Sequence, residues 1–204
     1  MGSVGLLYVG AVLFLNGLML VGAVSPKGAT PVNYFVGAMQ VIFPTIIIIS
    51  ANGDPAVIFG ASGLYLFGFT YLYVAINNTF GFDGSGLGWF SLFVAVVAVV
   101  IGSMQFTSSI NDPVFGVIWY IWAVLWFLFF LLLALGKDSL TVATGWFTII
   151  VAQITATIPA LFLLTGHFSS TTTWAIVMAV AGVLALVIGF ALAKKPLPNK
   201  AVSA

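Results

Sequence analysis

Long apolar segments alternate with short polar connections along the whole chain. A membrane helix needs about 20 apolar residues, and seven segments meet this length: 5–24, 32–50, 56–80, 87–106, 114–135, 141–165 and 172–193. The connections carry turn and helix-start residues, as in "ANGDP", "FDGSG" and "SSINDP". The pattern predicts an all-α integral membrane protein, a compact bundle of about seven transmembrane helices.

Composition agrees with this pattern, because 62% of the residues are hydrophobic and only 4% are charged. In soluble domains about a quarter of the residues are charged, so we expect no soluble domain. Cysteine is absent, which excludes thiol chemistry. The net charge of +1 indicates no nucleic-acid partner. We expect no metal, no cofactor and no enzyme activity, since no span carries an acid–base pair or a metal-ligand cluster.

The lysines predict the orientation in the membrane. With seven alternating spans, all five fall on one side: Lys27, Lys137, Lys194, Lys195 and Lys200. Positive charges collect on the cytoplasmic side. We therefore expect the N-terminus outside and the C-terminus in the cytoplasm.

The four acidic residues all lie in connections: Asp54, Asp83, Asp112 and Asp138. Proton relays and ion-coupled transporters rely on ionisable groups within the membrane, so coupled transport is not expected. The last span has no lysine that could hold a retinal.

Three tryptophans lie at the centre of the fifth span, although tryptophan usually lies at the membrane surface. Trp119, Trp122 and Trp126 are spaced by three and four residues, which places them on one helix face. Phe67 and Tyr71 in the third span share the spacing of the last two. The face forms either a packed core or the wall of a narrow passage. Flat apolar walls would suit a small, planar, uncharged solute and would exclude ions, which need a replacement for their hydration shell.

Several neutral polar groups lie within the spans, including Asn16, Gln40, Gln153, Thr155 and Thr157. A buried amide needs a partner inside the protein, so Asn16, Gln40 and Gln153 either link helices or contact a solute. Asn16 is the candidate for solute contact, because it lies one helical turn from Leu13 on the same face.

A short repeat indicates related helical hairpins. "GWFSLFVA" at 88–95 matches "GWFTIIVA" at 145–152, and each begins a span from the lysine side. We therefore expect a hairpin-repeat architecture.

Five stretches together resemble the AmiS/UreI family: "LLYVGAVLFLNG", "FGFTYLYVAINNTFG", "GWFSLFVA", "IWAVLWF" and "ATIPALFLL". The resemblance covers residues 1 to about 165 and implies a urea and short-chain amide channel of the bacterial inner membrane. It also implies a homo-hexamer in which each protomer has its own pore. Carried over to this chain, the pore-lining residues are Leu6, Leu13, Asn16, Phe67, Tyr71, Trp119, Trp122, Leu125 and Trp126.

The chain departs from the acid-gated urea channels of that family at several positions. "ANGDP" replaces a long histidine-rich loop, Val151 replaces a glutamate, and Thr157 replaces a tryptophan. Beyond the six-helix core, 166–193 adds a seventh helix and 194–204 forms a basic tail, all within a single channel domain of residues 1–204. His167 is the single histidine, so acid gating is not expected.

We therefore expect a passive channel for urea, acetamide, formamide or similar solutes, surrounded by membrane lipid. Two alternatives stay open from the residues alone. One is a channel for ammonia or another small neutral molecule, and the other is a membrane scaffold that conducts nothing.

Overall fold

A computed structural model describes residues 1–194. Seven helices in this part of the chain are long and apolar enough to cross a membrane. They are α1 (Gly2–Leu20), α2 (Pro26–Ser50), α3 (Pro55–Phe80), α4 (Ser85–Gln105), α5 (Pro113–Leu133), α6 (Asp138–Leu164) and α7 (Thr172–Leu192). The predicted all-helical membrane bundle is confirmed. Two of the five predicted cytoplasmic lysines, Lys195 and Lys200, lie outside the described residues.

Capping residues followed by proline begin three of the helices. The side chains of Ser25, Asp54 and Asp112 accept backbone N–H bonds in the first turns of α2, α3 and α5. Proline at the first helical position needs no N–H partner. The cap at Ser25 explains a difference from the sequence prediction, which began the second span at residue 32. The stretch "SPKGATP" was predicted to be a connection, but α2 already begins at Pro26.

The helices form antiparallel hairpins. α2 packs along α3, and α4 packs along α5. α1 lies against α6 and α2, while α7 covers α6 and α5. Gly182 and Gly189 allow α7 to approach Ile121 and Phe147 closely. This arrangement agrees with the predicted hairpin architecture and leaves α1, α3 and α5 around a common core.

The two copies of the repeated "GWF" stretch make similar contacts. A methyl group added at Gly88 would collide with Ala134 at the end of α5. One added at Gly145 would lie 2.9 Å from the Leu20 Cβ, at the end of α1. Both glycines therefore allow one helix to start close to the end of its neighbour, which gives the repeat a packing role.

α6 changes its winding in the middle of the span. A π-helical segment, Ala152–Thr157, separates two α-helical parts. Pro159 has no N–H, so it cannot bond the preceding turn. The hydroxyls of Thr155 and Thr157 donate to the Val151 and Ala152 carbonyls, at 2.7 and 3.2 Å. The apolar pattern of 141–165 does not indicate this change in winding, and within the π segment Thr155 is fully buried.

Candidate functional site

Among the described residues, two cavities lie between α1, α3 and α5, one towards each end of the bundle. The N-side cavity, of about 380 Å³, lies towards the end that holds Gly2 and Ser3. The lysine-side cavity, of about 40 Å³, lies towards the end where α1 finishes and where Lys27 lies in the first turn of α2. Both are lined mainly by α1, α3 and α5, and both include Phe67 and Trp122 in their walls. These two rings therefore lie between the cavities.

Aromatic contacts build the partition between the two cavities. The Phe67 ring centroid lies 4.8 Å from that of Trp122 and 4.8 Å from that of Trp126, both in edge-to-face geometry. Trp119 lies 5.9 Å from Phe67 and 5.0 Å from Trp122. All four rings are buried. Edge-to-face pairs add to the gain from burial, so the sequence places a well-packed aromatic cluster at mid-depth.

The orientation of Trp122 is fixed by a hydrogen bond across the core. Its indole Nε1–H donates to the Thr155 hydroxyl at 2.9 Å, and that hydroxyl donates in turn to the Val151 carbonyl. Because its N–H is used in this way, Trp122 presents an apolar ring to both cavities.

Asn16 lies in the wall of the lysine-side cavity, and its amide is bonded to α2. Its Nδ2 donates to Asn33 Oδ1 at 2.9 Å, and Asn33 Nδ2 donates to Asn16 Oδ1 at 2.7 Å. Asn33 also donates to the Ala29 carbonyl. The sequence left open whether Asn16 links helices or contacts a solute. The structure shows that its amide links α1 to α2.

Two residues that line the cavities each have one buried polar atom without a hydrogen-bond partner within residues 1–194. One is the buried hydroxyl of Tyr71, a residue that lines the lysine-side cavity. The other is the buried Oε1 of Gln40, a residue that lines the N-side cavity. Buried polar groups normally find partners, so these atoms are candidates for contact with a solute in transit.

Uncharged side chains line both cavities over residues 1–194. No Asp, Glu, Lys, Arg or His lines either of them within the described chain. The part of the chain up to Lys194 holds no cluster of His, Cys, Asp or Glu suited to a metal ion. The walls are apolar, with a few neutral donors and acceptors.

The structure brings the predicted pore-lining residues together. Leu6 and Trp119 line the N-side cavity, and Phe67 and Trp122 line both cavities. The remaining five line the lysine-side cavity: Leu13, Asn16, Tyr71, Leu125 and Trp126. That a solute contacts them stays a prediction. The prediction omitted Gln40 and Thr155, whose only signal in the sequence was a neutral polar group at mid-span.

Two of the departures from the urea channels lie away from both cavities. Val151 is fully buried, and its carbonyl accepts the Thr155 hydroxyl. Thr157 packs against Gly10 of α1 and lines a groove on the outside of the bundle. These substitutions therefore do not alter the cavity walls directly.

Comparison with known proteins gives consistent matches. A family model described as AmiS/UreI family transporter matches residues 1–167. A protein of Rhodococcus erythropolis named as transporter protein AmiS2 is 56% identical over 94% of this chain and 91% of its own. A Mycolicibacterium smegmatis protein named as a transporter of amidate substrates is 54% identical over 96% of this chain and 91% of its own. An alignment of this extent leaves too few residues uncovered to omit α7.

A structural match agrees with these relatives. The cryoEM structure of the Helicobacter pylori urea channel in its closed state superimposes with a TM-score of 0.75 at 35% identity, covering 83% of this chain and 100% of that one. The chain is therefore a multi-pass membrane transport protein and not an enzyme, and it belongs to the AmiS/UreI family.

Proposed function

We propose that this protein is a passive channel for short-chain aliphatic amides, such as acetamide and formamide, and for urea. The observation that carries the proposal is the pair of cavities that meet at Phe67 and Trp122. They extend from opposite ends of the bundle towards one aromatic partition inside a single protomer. A small shift of these rings would join them into a continuous path.

The chemistry of the walls favours neutral, planar solutes. Ring faces offer flat apolar surfaces, while Tyr71 and Gln40 supply unpartnered polar atoms. An ion would lose its hydration shell without compensation, because no charged side chain from the described residues lines either cavity. The same lack of charge supports passive conduction, since coupled transport relies on ionisable groups within the membrane.

The names of the relatives support amides as solutes of the proposed channel. The two relatives that exceed half identity are named as transporters, one of them for amidate substrates, and their alignments include α7. The acid-activated urea channel of Helicobacter pylori is 36% identical over 80% of this chain and 97% of its own. Its shorter match supports urea as a second solute.

The test is solute entry into proteoliposomes, followed by light scattering after an osmotic shock. We expect acetamide, formamide and urea to enter faster than in protein-free vesicles, and glycerol to enter at the protein-free rate. Faster entry of ammonia alone would favour the alternative small-molecule channel. No acceleration for any solute would indicate a scaffold and contradict the proposal.

We infer further that the protein assembles as a homo-hexamer in the bacterial inner membrane. Leu7, Tyr8, Phe14 and Gln153 line a groove on the outside of the bundle, between α1 and α6. An amide facing hydrocarbon lacks partners, so Gln153 supports coverage of this face by a second copy. Because the chain has no cysteine, single-cysteine variants at position 8 allow a clean cross-linking test. A protomer that forms no cross-linked species would contradict this assembly.

We also propose an orientation in the membrane and a domain organisation for this chain. Lys27 and Lys137 lie at one end of the bundle, and Lys194 follows α7 at that end. This supports a cytoplasmic C-terminus and an external N-terminus. We propose a single channel domain over 1–204, made of the core 1–165, the additional helix 166–193 and the basic tail 194–204. Residues 195–204 of that tail lie outside the described chain.

A further inference from the structure

Gln40 is fully buried within α2, and its side chain lines the N-side cavity. Leu6, Phe67 and Trp122 line the same cavity. The amide Nε2 donates to the Gly5 carbonyl of α1 at 2.8 Å. Its Oε1 has no partner within residues 1–194. The hydrogen bond between α1 and α2 therefore uses only one of the two polar atoms of the Gln40 amide.

The contact with the Gly5 carbonyl determines which atom of the Gln40 amide lacks a hydrogen-bond partner. The Gly5 carbonyl oxygen can only accept a hydrogen bond, so the nitrogen of Gln40 must face it. The oxygen is then the unpartnered atom. A buried acceptor without a donor is costly, and the membrane interior supplies no water to compensate. The position therefore favours an occupant that brings a donor into the cavity.

We propose that Gln40 is a specificity-determining residue whose Oε1 accepts an N–H from the solute in the N-side cavity. This inference rests on the proposed function. A primary amide or urea carries NH₂ donors in the plane of its carbonyl. It can bond Gln40 while one of its faces packs on the aromatic rings of the partition. The contact replaces water that the solute loses before it passes between Phe67 and Trp122.

Gly5 holds the Gln40 amide in this position. A methyl group added at Gly5 would lie 2.9 Å from Gln40 Nε2 and 3.3 Å from Oε1. The atoms it would displace belong to the end of a flexible side chain. Gly5→Ala therefore moves the amide without removing it, and offers a second variant that disturbs the packing little.

The test compares permeabilities for formamide, acetamide, urea and water in proteoliposomes with equal amounts of protein. Gln40→Met keeps a similar length but has no amide. Without the solute contact, we expect permeability for the three solutes to fall by about two- to tenfold, while that for water stays near the wild-type value. Gly5→Ala should give a smaller loss of the same kind. Thr45→Val is the matched control, because Thr45 lies on α2, bonds Tyr65 and lines neither cavity.

The outcomes separate this inference from the proposed function. Wild-type vesicles that conduct no better than protein-free ones would contradict the proposed function itself. If the wild type conducts and Gln40→Met lowers water and amide permeability equally, Gln40 only shapes the bundle and the inference is wrong. Unchanged permeability in Gln40→Met also overturns it. Should that variant fail to fold, Gly5→Ala decides, since an unchanged ratio of amide to water permeability would overturn the inference.

Discussion

The Phe67 ring meets the Trp122 ring edge-to-face at a centroid distance of 4.8 Å, at the point where the two cavities approach each other. Phe67 comes from α3 and Trp122 from α5, so the contact depends on how these two helices sit around α1. Any passage through the protomer must run between these rings or displace them. The partition is therefore the part of the molecule at which substitutions should affect permeation most.

We predict that Trp122→Ala and Trp126→Ala change solute permeation while the protein still assembles. Removing either indole opens space beside Phe67 and joins or widens the cavities. Loss of a buried aromatic ring should also lower the free energy of unfolding by about 3–5 kcal/mol. Proteoliposome flux of acetamide and of a bulkier amide measures the change in selectivity.

The matched control for these variants is Trp89→Ala. Trp89 is 57% exposed on α4, packs on Phe130 and lines neither cavity. We expect wild-type flux from it. If both core variants are well folded and conduct urea and amides as the wild type does, the tryptophan face is only packing and its assignment to the pore is wrong.

Thr155→Val should disturb permeation without touching a cavity wall. The hydroxyl holds the Trp122 indole through a 2.9 Å bond, and valine has nearly the same shape but no acceptor. The buried N–H would then lack a partner, which costs about 1–3 kcal/mol and allows the ring to reorient. We expect lower thermal stability together with an altered ratio of acetamide to urea flux.

Thr148→Val provides the comparison for Thr155. The Thr148 hydroxyl is also buried in α6, and donates only to the Thr144 carbonyl. We expect no change in the flux ratio from this variant. Equal effects of both substitutions would show that Thr155 has no special influence on Trp122.

Asn16→Val tests the amide pair between α1 and α2. Asn16 lines the lysine-side cavity, so we expect this variant to alter selectivity more than assembly. The reciprocal bonds to Asn33 add a second effect, since the partner amide would lose both of its contacts with Asn16. We predict a loss of about 1–3 kcal/mol in the free energy of unfolding, in addition to a change in selectivity.

The double variant Asn16→Val, Asn33→Val separates the two effects. Replacing both partners leaves no orphaned amide at this contact, so stability should recover relative to the single variant. Selectivity should stay altered, because Asn16 is still missing from the cavity wall. Recovery of wild-type selectivity in the double variant would assign Asn16 to helix linkage alone.

The sequence contained enough information for the helices and for the aromatic face. Apolar length set the number of spans, and the spacing of Trp119, Trp122 and Trp126 placed all three on the buried side of α5. The π segment was not predictable from periodicity, because its winding depends on Pro159 and on hydroxyl bonds within α6. Whether the Gln40 oxygen has a hydrogen-bond partner depends on the distance between α1 and α2. The pattern of residues along the chain does not contain that distance.

We predict a cytoplasmic C-terminus. The three described lysines share one end of the bundle with the end of α7, and an odd number of spans puts the two termini on opposite sides. A C-terminal fusion to a protein that fluoresces only in the cytoplasm should be bright. A bright signal from a reporter that works only on the external side of the membrane would contradict both the orientation and the span count.

The last prediction is that flux stays nearly constant between pH 5 and 7.5. An acid-sensing channel needs groups that change charge in this range, and histidine is the usual one. His167, the single histidine, lies in the connection between α6 and α7. A hydrogen bond links this connection to the start of α5, because the Ser170 hydroxyl donates to Asp112 at 2.5 Å. This link does not involve the histidine.

The Asp83 carboxylate, in the turn between α3 and α4, does not supply a switch in this range either. Hydrogen bonds from the Ser85 hydroxyl, and then from its backbone N–H, lower the pKa of Asp83. A lowered pKa means that the ionised carboxylate stabilises the turn between α3 and α4 at all pH values above the unfolded pKa, about 3.9 for aspartate. That contribution is lost only as the pH falls below this value, outside the range tested. Stopped-flow measurements on proteoliposomes at pH 5, 6 and 7.5 check the prediction. A steep rise in amide or urea flux on acidification that disappears in His167→Ala would show that one histidine per protomer is sufficient for gating.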